Sequence, residues 1–133
     1  YFMQKNIKEN KLSGERSYYK IDIVQTYNDY KMFVCPEEII GIPGIGFVEG
    51  MACGTAYIGL NSSIYKDYGM VDKKHYVAYD GTLNDLVSKI RYYQKHNSEL
   101  KEIAHNGQKF VEKYFNPEFV AEKFIKSLES LPN

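Results

Sequence analysis

The chain has 133 residues, which is enough for one domain with its own hydrophobic core but too few for two. It is 44% hydrophobic and 26% charged, the balance of an ordinary soluble globular protein. The formal net charge of +0 argues against a nucleic-acid partner and against a strongly electrostatic membrane anchor. No apolar stretch approaches the roughly 20 residues that a transmembrane segment needs, so only peripheral membrane association is left open.

The beginning of the chain differs in composition from the rest. Residues 1–16 are polar, rich in Lys and Asn, and have no signal-peptide pattern, so we expect a lead-in followed by one domain at residues 17–133. Because the first residue is Tyr rather than Met, the chain is expected to be a piece of a longer protein. Two cysteines, Cys35 and Cys53, fit a reducing cytoplasmic location better than a disulfide framework.

Helical and apolar segments alternate through the first half of the domain. The predicted elements are a helix at Ile21–Lys31, a strand at Met32–Cys35, a glycine-rich loop at Gly41–Gly46, a short helix at Phe47–Cys53 and a strand at Thr55–Leu60. Gly54 follows the short helix and is expected to end it. A polar connection with one helical turn near Ile64 comes next.

A third strand and three helices complete the chain. The strand is predicted at His75–Asp80. The three helices are predicted to begin at Thr82, at Asn97 or Ser98, and at Asn116-Pro117, since these residues cap helices well. The first should present Leu83, Leu86, Val87, Ile90 and Tyr93 on one face, and the last should bury Val120, Phe124, Leu128 and Leu131.

Strands that alternate with helices predict an α/β fold, with a Rossmann-like parallel sheet flanked by helices. Only three strands are evident, whereas doubly wound domains usually have five or six. The sheet is therefore expected to be incomplete on its N-terminal side.

The pattern from Cys35 to Gly59 carries most of the functional information: a strand, a glycine-rich loop, a helix with Glu49 near its start, and another strand. Ligands of open parallel sheets bind beyond the carboxyl ends of the strands, and a helix N-terminus reached through glycines suits a phosphate. A carboxylate there can accept two hydrogen bonds from a ribose diol. A nucleoside diphosphate fits, although glycine loops and first-turn glutamates also occur without any ligand.

The letters F-V-E-G-M-A-C-G-T-A, at residues 47–56, resemble the E-A-M-A-C-G-x-P-V signature of the glycosyl transferases group 1 family, which has the GT-B fold. Ile103–Phe115 is similar to that family's A-x-x-G-x-x-x-V-x-x-x-F helix. The likeness extends over roughly residues 20–131. It implies that the chain is the C-terminal, donor-binding half of a glycosyltransferase.

The resemblance also implies roles for particular residues. Glu49 would hold the ribose hydroxyls of a nucleoside-diphosphate sugar. Four residues, Gly44, Ile45, Gly46 and Phe47, would lie near the diphosphate and the transferred sugar. The family's transfer is typically retaining and uses no metal or cofactor, and the three histidines have no metal-ligand spacing.

The sequence departs from the family in three respects. The family usually has a second Glu eight positions before the ribose-binding one, where this chain has Gly41; Glu37 or Glu38 could reach that place through a rearranged loop, and Glu38 is our catalytic candidate. The Arg and Lys that usually clamp the diphosphate, and the N-terminal acceptor domain, would precede this chain. The piece alone is therefore expected to be inactive.

Two other functions are compatible with parts of the sequence. A catalytically silent relative would keep the fold and bind nucleotide or a protein partner only, as Gly41 allows. A flavodoxin-like or response-regulator-like module is disfavoured, because such modules carry their glycine-rich or acidic signature at the first strand.

Overall fold

A computed structural model of the chain describes residues 21–131, so the predicted lead-in at residues 1–16 lies outside the described residues. The elements, in chain order, are α1 (Ile23–Asn28), β1 (Met32–Val34), α2 (Gly46–Ala52), β2 (Ala56–Leu60), α3 (Ser63–Asp67), β3 (Val77–Tyr79), α4 (Leu83–Lys95), α5 (Asn97–Tyr114) and α6 (Pro117–Glu129). Each predicted strand is present, although β1 and β3 are shorter than their apolar runs.

The three strands form one parallel sheet in the order β1-β2-β3. Phe33 pairs with Tyr57, and Ile58 pairs with Val77. The central strand is buried on both faces, as its unbroken apolar run predicts for a parallel sheet covered by helices. The α/β, Rossmann-like fold expected from the sequence is therefore confirmed for the described residues.

Alternate side chains of β2 enter two different hydrophobic clusters, one on each face of the sheet. Tyr57 points into a cluster with Phe47, Met51, Tyr65 and Phe110. The neighbouring residues of β2 join the second cluster, whose buried members are Ala56, Ile58, Val77, Tyr93, Leu100 and Ile103. The first cluster is rich in aromatic rings and lies between the sheet and the helices α2 and α3.

Gly107 lets α5 approach the sheet and α2 closely. A Cβ atom at this position would lie 2.5 Å from the backbone oxygen of His75 and 2.9 Å from the terminal carbon of Met51. Backbone cannot yield as a flexible side chain can, so only glycine fits here. This contact anchors α5 across the first cluster.

The predicted helix starts are only partly correct. Thr82 and Asn116 cap α4 and α6 through their side chains, as expected. The prediction that Asn97 or Ser98 caps α5 is wrong: the residue before α5 is His96, which makes no side-chain capping bond. The reason is that His96 also ends α4, so one residue joins the two helices and leaves no room for a separate capping turn.

The prediction that the last helix buries its apolar stripe is also wrong. Val120, Phe124, Leu128 and Leu131 are between 49% and 64% exposed. A helix buries an apolar face only where another element covers it, and within residues 21–131 α6 packs mainly against the end of α5. Leu83, expected on the apolar face of α4, is exposed as well, because it is the first residue of that helix.

We expect Gly107→Ala to lower the free energy of unfolding by about 1–3 kcal/mol, the usual cost of overpacking a core. At an exposed helical position the same change would raise it by about 1 kcal/mol, because alanine is the better helix former. Urea unfolding followed by circular dichroism measures the difference. The exposed Lys109→Ala variant of the same helix is the control and should stay within about 0.5 kcal/mol of the parent protein. A stabilised Gly107→Ala protein would contradict the close approach of α5.

Candidate functional site

The chain that leaves β1 forms a small hairpin before it enters α2. The backbone N–H of Glu38 donates to the oxygen of Ile42 at 2.8 Å, and the N–H of Gly41 donates to the oxygen of Glu38 at 2.7 Å. Gly41 has a φ of 75°, a left-handed conformation that favours glycine. The predicted glycine-rich loop is thus an ordered turn at the carboxyl end of the sheet, where open parallel sheets bind ligands.

Gly44 and Gly46 pack against the two residues that follow β1, Cys35 and Pro36. A Cβ on Gly44 would lie 3.1 Å from the oxygen of Pro36, and a Cβ on Gly46 would lie 3.0 Å from Sγ of Cys35. The hydroxyl of Tyr27 donates to the oxygen of Gly46 at 3.3 Å. The glycines therefore hold the start of α2 directly against the end of β1.

The thiol of Cys35 faces the first amides of α2. Burial, and then the charge of Glu37, raise the pKa of Cys35, although the backbone N–H groups of Phe47 and Gly46 act in the opposite direction. A thiol with a raised pKa is a poor nucleophile at neutral pH. Cys35 thus lines the start of α2 as a packing residue.

Glu49 lies in the first turn of α2 and is exposed. Within residues 21–131 its carboxylate has no hydrogen bond and no ion pair. The helix itself has no side-chain cap: Ile45 precedes it with helical backbone angles. An unpartnered carboxylate one turn from the glycine-rich loop is therefore available to a ligand.

The other predicted site residues differ in what they can offer. Ile45 is exposed within the loop, whereas Phe47 is buried in the aromatic cluster and its backbone N–H donates to the oxygen of Gly44 at 3.2 Å, so Phe47 offers little to a ligand. Glu38 is exposed, and its Oε1 would be 3.4 Å from a Cβ on Gly44. The structure brings Glu38, Gly44 and Gly46 together around the end of β1, with Glu49 one turn further along α2.

Two buried tyrosines that the sequence reasoning missed connect this region to the core. The hydroxyls of Tyr57 and Tyr65 are 2.6 Å apart, and the hydroxyl of Tyr65 donates to Oε1 of Glu37 at 3.1 Å. Burial raises the pKa of both tyrosines, so both hydroxyls keep their protons at neutral pH. The available signal was a tyrosine in the middle of a buried strand, because its hydroxyl must find a partner.

A groove lies away from the candidate site. It is a groove of about 470 Å³ between the end of α3 and α6, and its aromatic lining consists of Tyr68, Tyr114, Phe115, Phe119 and Phe124. None of the predicted site residues lines it.

Among the helices of residues 21–131, none combines the length and apolar character that a bilayer-spanning segment requires.

We expect Gly46→Ala to destabilise the protein by about 1 kcal/mol, because the added methyl group presses on the sulfur of Cys35. In a Cys35→Ala background the same change should cost clearly less, since the sulfur is gone. A double-mutant cycle measured by urea unfolding gives the coupling. Equal costs in both backgrounds would contradict the contact between the glycine-rich loop and the end of β1.

Comparison with known proteins identifies the family to which the chain belongs. A family model described as glycosyl transferase-like matches residues 4–126 of the 133-residue chain. Searches among curated proteins and among solved structures gave no significant match. The matched region includes the whole sheet, the glycine-rich loop and the helices α1 to α5, and it covers far more than half of the chain. The chain therefore belongs to the glycosyl transferase-like family.

Proposed function

We propose that this domain binds the nucleoside-diphosphate part of a sugar nucleotide at the carboxyl end of β1. The bound sugar is transferred to an acceptor that an N-terminal domain of a GT-B glycosyltransferase holds. The observation that carries the proposal is Glu49, an exposed and unpartnered carboxylate in the first turn of the helix that follows the glycine-rich loop. Membership of the glycosyl transferase-like family supports the same conclusion.

The chemistry of the ligand fits the residues available. The two hydroxyls of a ribose can both donate to the carboxylate of Glu49, and hydrogen bonds to an ionised group are the stronger kind. Gly44 is buried, so a diphosphate would approach the backbone of the loop at the exposed Ile45 and the half-buried Gly46. The positive end of the α2 dipole favours an anion there.

Transfer requires the bond between the anomeric carbon and the diphosphate to break. Negative charge then builds up on the leaving diphosphate, and positive charge builds up on the sugar. Stabilisation of the diphosphate at the start of α2 is the contribution we assign to this domain. The proposed reaction is retaining and needs no metal or cofactor, and the proposed location is the cytoplasm.

A second function, nucleotide binding without transfer, is favoured by one observation. Gly41 stands where the related family usually has its sugar-contacting Glu, and its φ of 75° would strain any other residue by about 1–2 kcal/mol. The loop is therefore not shaped to carry a glutamate at that position. Release of free diphosphate from a sugar nucleotide by the full-length protein, which includes the proposed N-terminal domain, needs no known acceptor and distinguishes the two functions. A silent relative binds the compound and leaves it intact.

We expect at least one of uridine, guanosine and adenosine diphosphate to raise the melting temperature of the protein. The stabilisation is set by the ligand concentration relative to its dissociation constant, and reaches about 2.7 kcal/mol at a hundredfold excess over that constant. Glu49→Ala should abolish most of the shift while the melting temperature without ligand stays close to that of the parent, since the carboxylate has no partner within the described residues. Differential scanning fluorimetry over a ligand series measures both quantities.

The matched control for this experiment is Glu102→Ala, which removes an exposed carboxylate from α5 and should leave the ligand-induced shift unchanged. If the Glu49→Ala protein keeps the full ligand-induced shift in melting temperature, Glu49 does not bind the ribose. If none of the three diphosphates shifts the melting temperature, the proposal of nucleotide binding is wrong.

A further inference from the structure

We propose that Glu37 is the carboxylate that contacts the transferred sugar, and that Tyr65 is the positioning residue that holds it there. This inference rests on the proposed donor site at the end of β1. It identifies the group that occupies the sugar side of that site in a chain with glycine at position 41.

The carboxylate of Glu37 is fixed by a chain of hydrogen bonds that begins in the core. Tyr57 and Tyr65 are both fully buried. Their hydroxyl oxygens are 2.6 Å apart, the hydroxyl of Tyr65 reaches Oε1 of Glu37 at 3.1 Å, and the hydroxyl of Tyr57 lies 3.2 Å from the backbone oxygen of Cys35. The chain thus ties one carboxylate oxygen to α3 through Tyr65 and to β2 through Tyr57.

These three contacts share only two hydroxyl protons. Hydrogen bonds to an ionised acceptor are stronger than those to a neutral one, so the favoured arrangement has Tyr57 donating to Tyr65 and Tyr65 donating to Glu37. Both protons then point toward the carboxylate. The polarisation of one hydroxyl by the next strengthens the final bond.

Glu37 also lies at the correct edge of the sheet. It comes three residues after β1 and forms an isolated antiparallel bridge with Pro43, which immediately precedes Gly44 of the glycine-rich loop. Its charge raises the pKa of Tyr79, the last residue of β3, after the larger effect of burial. Glu37 is therefore close both to the glycine-rich loop and to the carboxyl end of β3.

No cation in the described part of the chain balances this carboxylate. Glu37 is half-buried, and among residues 21–131 it forms no ion pair; its side-chain partner is the neutral hydroxyl of Tyr65. A half-buried charge is costly unless it gains further hydrogen bonds or an opposite charge. A sugar supplies both, through its hydroxyl groups and through the positive charge that develops at the anomeric carbon during transfer.

Glu38 lacks these features. Its side chain is exposed and makes no hydrogen bond with the described residues, so it keeps the rotamer freedom that Glu37 has lost. A fixed carboxylate contributes more to binding because less freedom is lost when the ligand arrives. The hydrogen bond from Tyr65 therefore distinguishes Glu37 from its neighbour.

The test compares each nucleoside diphosphate with its sugar nucleotide: UDP with UDP-glucose, GDP with GDP-mannose, and ADP with ADP-glucose. Dissociation constants are measured by calorimetry on the protein and on Glu37→Gln, in which the amide oxygen can still accept from Tyr65. We expect Glu37→Gln to raise the dissociation constant of the sugar nucleotide by about tenfold or more, which is the usual effect of losing a hydrogen bond to a charged group. The dissociation constant of the free diphosphate should stay unchanged.

The positioning role is tested with Tyr65→Phe. Like Glu37→Gln, this change should lower the ratio of the dissociation constant of the diphosphate to that of its sugar nucleotide. Tyr93→Phe is the matched control: it removes a similar bond from a buried tyrosine to Glu99 on the α4–α5 side of the molecule. This control should leave the ratio unchanged even if it lowers the melting temperature, so a general loss of stability is distinguished from a change at the site.

Two outcomes overturn the inference in different ways. If the diphosphate binds and Glu37→Gln leaves the ratio at the parent value, Glu37 does not contact the sugar, while the proposed nucleotide site stands. If no diphosphate and no sugar nucleotide binds the parent protein, the inference fails together with the proposed function.

Discussion

The close contact between the glycine-rich loop and the end of β1 determines where every candidate residue lies. Gly44 and Gly46 have no side chains, so the chain can turn back onto Cys35 and Pro36 and begin α2 at once. The short helix then runs beside β2 and places Glu49 on its exposed side. A larger residue at either glycine would push α2 away from the sheet.

A second constraint acts from below the loop. Gly107 brings α5 against the backbone of His75 and the side chain of Met51, and this packing closes the aromatic cluster on the face that carries α2. The hydroxyl of Tyr65, a buried residue of that cluster, then donates a hydrogen bond to Glu37, between β1 and the glycine-rich loop. The site and the core are therefore one continuous piece of packing rather than a flexible loop on a rigid scaffold.

Most of the fold could be predicted from the sequence because its patterns depend on local chemistry. An apolar run ending in Pro36 marks a strand, Gly54 with its positive φ ends α2, and Thr82 caps α4. These features need only the preferences of a few neighbouring residues. The three-stranded parallel sheet follows from them once strands and helices are seen to alternate.

The remaining differences come from contacts between distant parts of the chain. The periodicity of α6 predicted which residues share a face, but not whether any element covers that face. The hydrogen bond from Tyr65 to Glu37 joins residues 28 positions apart, and both lie in segments that read as polar connections. Residues such as Glu49, whose position depends on one local motif, could be identified as candidates, whereas Glu37 required the three-dimensional arrangement.

The buried tyrosine chain has a practical consequence for optical spectroscopy. The protein contains 13 tyrosines and no tryptophan, so its near-ultraviolet absorption and intrinsic fluorescence arise almost entirely from phenol rings. Tyr57 and Tyr65 are held in an apolar cluster with hydrogen-bonded hydroxyls, an environment that shifts a phenol's absorption band from its position in water. Two of the protein's chromophores therefore lie beside Glu37 and the end of β1, and their shifted bands form part of the optical signal of the folded protein without any attached label.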